Sequence, residues 1–140
     1  MAAILNTSLK LLSVSILLLL LFTSVKIEKT IIEQLNDNES FEIIMESNGC
    51  FHSTTDKLSI KKKKGVYTAI KGKRKKTLGE KDLAEIRDFE IKLRTFDEKM
   101  NVCTTTDTYL LKYRSYEFKY VDGTCAWNGM SHLIEKLFSN

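Results

Sequence analysis

No charged side chain interrupts the chain between Leu11 and Val25, a run of 15 residues that includes the unbroken stretch Leu17 to Leu21. A membrane-spanning helix needs about 20 apolar residues and the core of an export signal about 7–15, so the length predicts a signal peptide over residues 1–25. The cleavage signature is poor. A cut after Ser24 leaves Phe22 at the third-last place, and a cut after Val25 leaves a branched residue at the end. An uncleaved N-terminal anchor therefore stands beside a cleaved signal. No cysteine stands directly after the run, so a lipid-modified cysteine is not supported.

Beyond this leader the pattern changes character. Ile27, Ile31, Ile32 and Leu35 fall near helical spacing among charges, which predicts a short helix or a stalk over residues 26–38, ended by Asn36-Asp37-Asn38. The compact domain is expected from Glu39 to the C-terminus, residues 39–140. Phe41, Ile43 and Met45 alternate with other positions as a half-buried strand does. A polar loop is expected from Asn48 to Asp56. Leu58 and Ile60 alternate with Lys57, Ser59 and Lys61 as a second strand, and Lys63-Lys64-Gly65 turns the chain into a third, Val66 to Ile70.

Thr77-Leu78-Gly79-Glu80 has the S/T-x-x-E form of a capping box. Leu83, Ile86, Phe89, Leu93 and Phe96 follow at three- and four-residue steps and predict a helix over about residues 80–96. Thr108 to Tyr113 and Tyr116 to Val121 form a second hairpin around Arg114-Ser115. Met130, Leu133, Ile134, Leu137 and Phe138 mark a last amphipathic helix. The order β-β-β-α-β-β-α, with short links between strands, predicts an α+β domain. It would be an antiparallel sheet of about five strands with two helices packed on one face.

Composition adds little to that picture. The chain has 140 residues, no Pro and 6 Gly, which suits one ordered domain rather than a linker or a disordered tail. Lys10 is the only charged residue of the leader, so the remainder carries 21 basic and 18 acidic side chains. The distribution of charge says more than its sum.

From Asp56 to Lys81 there are 11 Lys or Arg and two acids. Lys61, Lys62, Lys63 and Lys64 crowd the tip of the first hairpin. Lys73, Arg74, Lys75 and Lys76 follow its second strand, at the other end, about 17–20 Å away for a typical strand. Such a ridge attracts anionic lipid, acidic glycan or an acidic envelope protein. Lysines on a hairpin edge also simply prevent strand-to-strand aggregation. Nucleic acid is disfavoured, because export removes the protein from it and no aromatic residue interrupts either lysine cluster to stack on bases.

Three cysteines bear on the chemistry. In an exported protein they meet an oxidising environment. The Arg114-Ser115 turn places Cys103 opposite Ala126, one position from Cys125, so a Cys103–Cys125 disulfide is expected; pairing through Cys50 is the alternative. The loop Asn48 to Asp56 gathers Cys50, His52 and Asp56. With Trp127 these make a candidate loop site, and a Cys50–His52 pair would suit a thiol-dependent enzyme or redox sensor. Neighbours two apart on an extended chain face opposite ways, so the pair needs a loop that folds back. Trp127 suits a core anchor for the last helix better than an exposed binding face. With no C-x-x-C and only two histidines, neither a metal nor a cofactor is expected. Asp82, Glu85 and Asp88 fall on the solvated side of a helix and offer no catalytic set.

The phrases Gly49-Cys50-Phe51-His52-Ser53-Thr54-Thr55, Cys103-Thr104-Thr105-Thr106-Asp107-Thr108-Tyr109 and Gly123-Thr124-Cys125-Ala126-Trp127-Asn128-Gly129 resemble small exported proteins of unknown function from Bacteroidetes-type bacteria, over roughly residues 40–138. The resemblance implies an exported bacterial context, in which the Asn38 sequon has no role, and it implies no activity or ligand. The expectation from all of this is an exported, non-enzymatic binding or structural domain of the cell envelope, periplasmic or extracellular unless anchored by its N-terminus.

Overall fold

The computed structural model describes residues 29–96, 104–122, 124 and 126–139. The leader, Cys103 and Cys125 lie outside these residues, and with them the signal-peptide and disulfide expectations. The described chain is α+β: α1 (Ile31–Gln34), β1 (Ser40–Gly49), β2 (Ser53–Lys63), β3 (Val66–Lys71), β4 (Arg74–Thr77), α2 (Glu80–Leu93), β5 (Thr105–Tyr113), β6 (Tyr116–Asp122) and α3 (Gly129–Phe138). The strands form one antiparallel sheet in the order β4-β3-β2-β1-β5-β6.

Strand β1 sits between β2 and β5. Ile43 stands opposite Leu58 on one side and Leu111 on the other, and Phe41 opposite Ile60 and Tyr113. Directly opposed residues share a face, so these side chains form one apolar layer. They join Ile86, Phe89 and Leu93 of α2 and Met130, Leu133, Ile134 and Leu137 of α3 in a single core cluster. The helices thus cover one face of the sheet. The other face carries Glu42, Ile44 and Glu46 of β1, Lys57, Ser59, Lys61 and Lys63 of β2, Lys75 of β4, Lys112 of β5 and Glu117 and Lys119 of β6, as strand alternation requires.

Six strands replace the five expected. The extra one is β4, Arg-Lys-Lys-Thr, whose sequence has no apolar alternation to betray it. It qualifies as an edge strand because Lys76, on the core side, finds the Asp82 carboxylate at 3.0 Å, and Arg74 lies over the Phe138 ring at 4.7 Å. The polar loop expected from Asn48 to Asp56 is mostly strand. Asn48 already pairs with Ser53, so only Cys50, Phe51 and His52 remain as the connection. Gly49 permits this tight loop, since a Cβ there would lie 2.7 Å from His52 Cε1 and 2.9 Å from Thr105 Oγ1.

The expected capping box is also displaced. Thr77 is used by β4, α2 starts at Glu80, and the Asp82 carboxylate accepts the Gly79 N–H at 3.0 Å in place of a Glu80 return bond. The helix stops at Leu93, short of Phe96.

The segment expected as a short helix or stalk contributes Ile31, Ile32 and Leu35 to the core. Its helix, α1, is too short to stand alone. Glu33 accepts the Thr30 N–H at 2.9 Å and the Thr30 hydroxyl at 2.8 Å, closing the first turn. The buried Glu90 carboxylate of α2 then accepts the Ile31 N–H, at 2.9 and 2.8 Å from its two oxygens. The Arg94 guanidinium lies 2.6 Å from the same carboxylate. Burial raises the Glu90 pKa above its ordinary value, against the Ile31 N–H and Arg94, which favour the ion.

Candidate binding surfaces

The eight basic residues singled out from the sequence divide by strand parity. Lys62 points to the helix side, where its Nζ donates to the Leu35 carbonyl at 2.9 Å and lies 4.8 Å from the Tyr67 ring centre. Lys76 and Arg74 are engaged with Asp82 and Phe138. That removes three from any ligand-facing set. Lys61, Lys63 and Lys75 point out from the uncovered face, and Lys64 and Lys73 sit in the two turns; all five are exposed. None of these five forms a salt bridge among the described residues. Lys57, by contrast, reaches Glu42 at 2.6 Å, and Lys112 reaches Glu117 at 2.9 Å.

The hairpin tip is rigidly built. Lys64 and Gly65 both have positive φ, 52° and 75°, as a type I′ turn demands. Asp37 accepts both of their N–H groups, at 3.0 and 2.7 Å. Glycine at position 65 suits this conformation; lysine at 64 does so at a steric cost, which the Asp37 bonds offset.

The second surface lies on the helix side, at the opposite edge of the sheet. α1 and α2 stop short of β6, leaving a groove of about 610 Å³ with Tyr113, Tyr116, Phe118 and Tyr120 along one wall and Gln34, Arg94 and Arg114 on the rim. Tyr116 is 62% exposed and Phe118 41%, and their rings stack at 6.3 Å with 24° between planes. Glu39 organises the rim: it accepts from the Tyr113 hydroxyl at 2.7 Å and from Arg114 Nε at 2.9 Å. These bonds, that of Tyr113 foremost, with the Asn36 N–H hold its pKa down at about 2.

No hydrogen bond, ion pair or ring contact among the described residues joins Cys50, His52, Asp56 and Trp127 of the candidate loop site. Cys50 and His52 flank the fully exposed Phe51 in the β1–β2 loop, and no hydrogen bond among the described residues joins them. The Cys50 sulfur is exposed and faces the Thr104 carbonyl at 3.9 Å. Asp56 belongs to β2 and pairs with Lys71. Trp127 packs inward, with its ring centre 5.2 Å from Phe89, 4.8 Å from Phe96 and 5.1 Å from Tyr109.

Sequence reasoning passed over an acid pair. Asp107 and Asp122 stand directly opposite each other on β5 and β6 and line a polar pocket of about 240 Å³ with Ser47, Thr105, Trp127 and Asn128. Asp122 accepts from the Thr124 N–H at 2.8 Å and its hydroxyl at 2.6 Å. The pairing was readable once the hairpin register was fixed, since both residues follow from the turn at Arg114-Ser115. Among the described residues no group of three or more His, Cys, Asp or Glu is placed to hold a metal ion. No helix among them is long and apolar enough to cross a membrane.

No protein-family model, curated protein or solved structure matches this chain.

Proposed function

We propose that this is an exported, non-enzymatic binding domain that contacts an anionic surface, lipid or glycan, through the uncovered side of its β2–β4 end. The single observation that carries the reading is the contrast between Lys61, Lys63, Lys64, Lys73 and Lys75 and the basic residues around them. The neighbours are engaged by carboxylates, a carbonyl or a ring, while these five are exposed and make no described salt bridge. By strand and residue spacings, Lys61 and Lys75 stand about 12 Å apart on one face, a separation suited to several anionic groups rather than to one. Screening over about 8–10 Å at physiological salt makes such binding strongly dependent on ionic strength.

The test compares binding to vesicles of neutral and anionic lipid, and to acidic and neutral glycan arrays, at low and physiological salt. Binding that needs negative charge, weakens with salt and disappears in Lys61→Glu/Lys63→Glu/Lys75→Glu supports the reading. The lipid and glycan arms separate the two sources of charge. Equal binding by that variant, or none by the wild type, removes it.

A further inference from the structure

The two edges of the sheet are built differently. β4 is four residues long and presents Arg74, Lys75 and Lys76, the kind of edge that discourages pairing. β6 is seven residues long and presents Tyr116, Phe118 and Tyr120 on the helix side and Glu117 and Lys119 on the other. Its sequence Tyr-Glu-Phe-Lys-Tyr reads the same from either end, except that the acid and the base exchange.

We infer that the β6 edge receives a second copy of this chain, the two β6 strands pairing antiparallel about a twofold axis through Phe118. Three features meet at that register, and the first of them selects it. The first is charge. With Phe118 opposite its copy, Glu117 falls opposite the second copy's Lys119, and Lys119 opposite its Glu117. Each Glu117 then lies between Lys112 of its own β5 and a lysine of the second copy.

The second is apolar pattern. Tyr116 falls opposite the second copy's Tyr120, so the exposed rings of both copies line one side of the joint, where each copy's groove opens.

The third is hydrogen-bond parity. The β5–β6 connection is a two-residue hairpin closed by Tyr113 and Tyr116. In such a hairpin the closing pair exchanges backbone bonds, and bonded and non-bonded pairs alternate from there. Residues 116, 118 and 120 therefore turn their N–H and C=O toward β5, while 117 and 119 turn theirs to the open edge. A twofold centre at Phe118 is compatible with that arrangement, giving a non-bonded pair at 118 and bonded pairs between 117 and 119. A centre at Glu117 or Lys119 would also give a regular ladder, but would oppose like charges. The union would continue each six-stranded sheet into the other and bring both lysine-bearing faces to the same side.

The experiment is a charge-exchange cycle read by sedimentation velocity on the full chain. Wild type is expected to form a concentration-dependent dimer. Glu117→Lys and Lys119→Glu each set like charges opposite one another at two places and are expected to weaken self-association about tenfold or more. Mixed together, these two variants restore two attractive pairs and should form the heterodimer. The exchange variant Glu117→Lys/Lys119→Glu should dimerise like wild type. Melting curves of each variant keep loss of folding separate from loss of pairing. A second readout is oxidation of Phe118→Cys, which brings two thiols to a non-bonded pair with Cα atoms about 4.5 Å apart, within disulfide reach. Peptide mapping should find a 118–118 link. A monomeric wild type, a dimer indifferent to the single reversals, or failure of the mixture to associate would overturn the proposal.

Discussion

Removing the Glu90 side chain tests how the N-terminal segment is held. In Glu90→Ala the Ile31 N–H loses its acceptor, Arg94 loses the carboxylate 2.6 Å away, and a space opens between α1 and α2. Breaking a buried ion pair by deleting one partner costs about 3–5 kcal/mol, and stranding a buried N–H belongs to the same loss. The melting temperature should fall by roughly 10 °C or more, taking about 3–5 °C per kcal/mol for a domain of this size. Glu90→Gln should cost much less. Burial already raises the pKa of this carboxyl, so the fold tolerates its neutral form better than the unfolded chain does. The same shift fixes the sign of the pH dependence. Between the ordinary value of 4.5 and the raised folded value, the folded protein holds the extra proton. Stability should therefore fall as pH rises through that window and be level above it. Glu90→Gln should lack this slope. Denaturant unfolding at several pH values measures all three. An alanine variant within about 1 kcal/mol of wild type, or a glutamine variant as unstable as the alanine one, would refute this account of the clasp.

Two further outcomes follow from packing and from the groove rim. Gly129→Ala would place a Cβ 2.2 Å from the Trp127 ring, which is held by Phe89, Phe96 and Tyr109 and has little room to move. A loss of about 1–3 kcal/mol is expected, and because Trp127 is the sole tryptophan, a changed fluorescence spectrum should accompany it. An unchanged spectrum and stability would mean that the ring is not confined. Glu39, held at about 2 by the Tyr113 hydroxyl first of all, contributes stability that is complete above its ordinary 4.5 and is lost as pH falls toward 2. Carboxyl titration by NMR should show the Glu39 midpoint rising in Tyr113→Phe; no movement would discard that hydrogen bond as the cause.

The parts of the fold that sequence predicted well are those where apolar spacing is unambiguous. β1, the second hairpin and both long helices follow directly from Phe41-x-Ile43, Tyr109-x-Leu111-x-Tyr113 and the three- and four-residue steps of α2 and α3. The parts it missed are held by polar groups. β4 has no apolar alternation and depends on Asp82 and Phe138 for its place. Ser53 to Asp56 pairs with β1 through backbone bonds that a polar sequence does not advertise. Thr77 carries the expected cap residue, but the strand claims it first and Asp82 takes over the role. Ile31, Ile32 and Leu35 are separated by Glu33 and Gln34, and only contact with α2 reveals them as core. For the lysines, the cluster was plain, but their division was not. Lys61 and Lys63 face out and Lys62 faces in because β2 has a fixed parity, set by Leu58 and Ile60 on the helix side.

The Asp37 carboxylate, which grips the Lys64 and Gly65 amides from the chain ahead of the sheet, has a bearing on recognition. A hairpin end of four consecutive lysines would otherwise fray, and any surface capturing it would first have to freeze it. With the tip already fastened, the ordering entropy of that backbone is spent during folding, and only the lysine side chains would remain to be ordered on any surface that captured them.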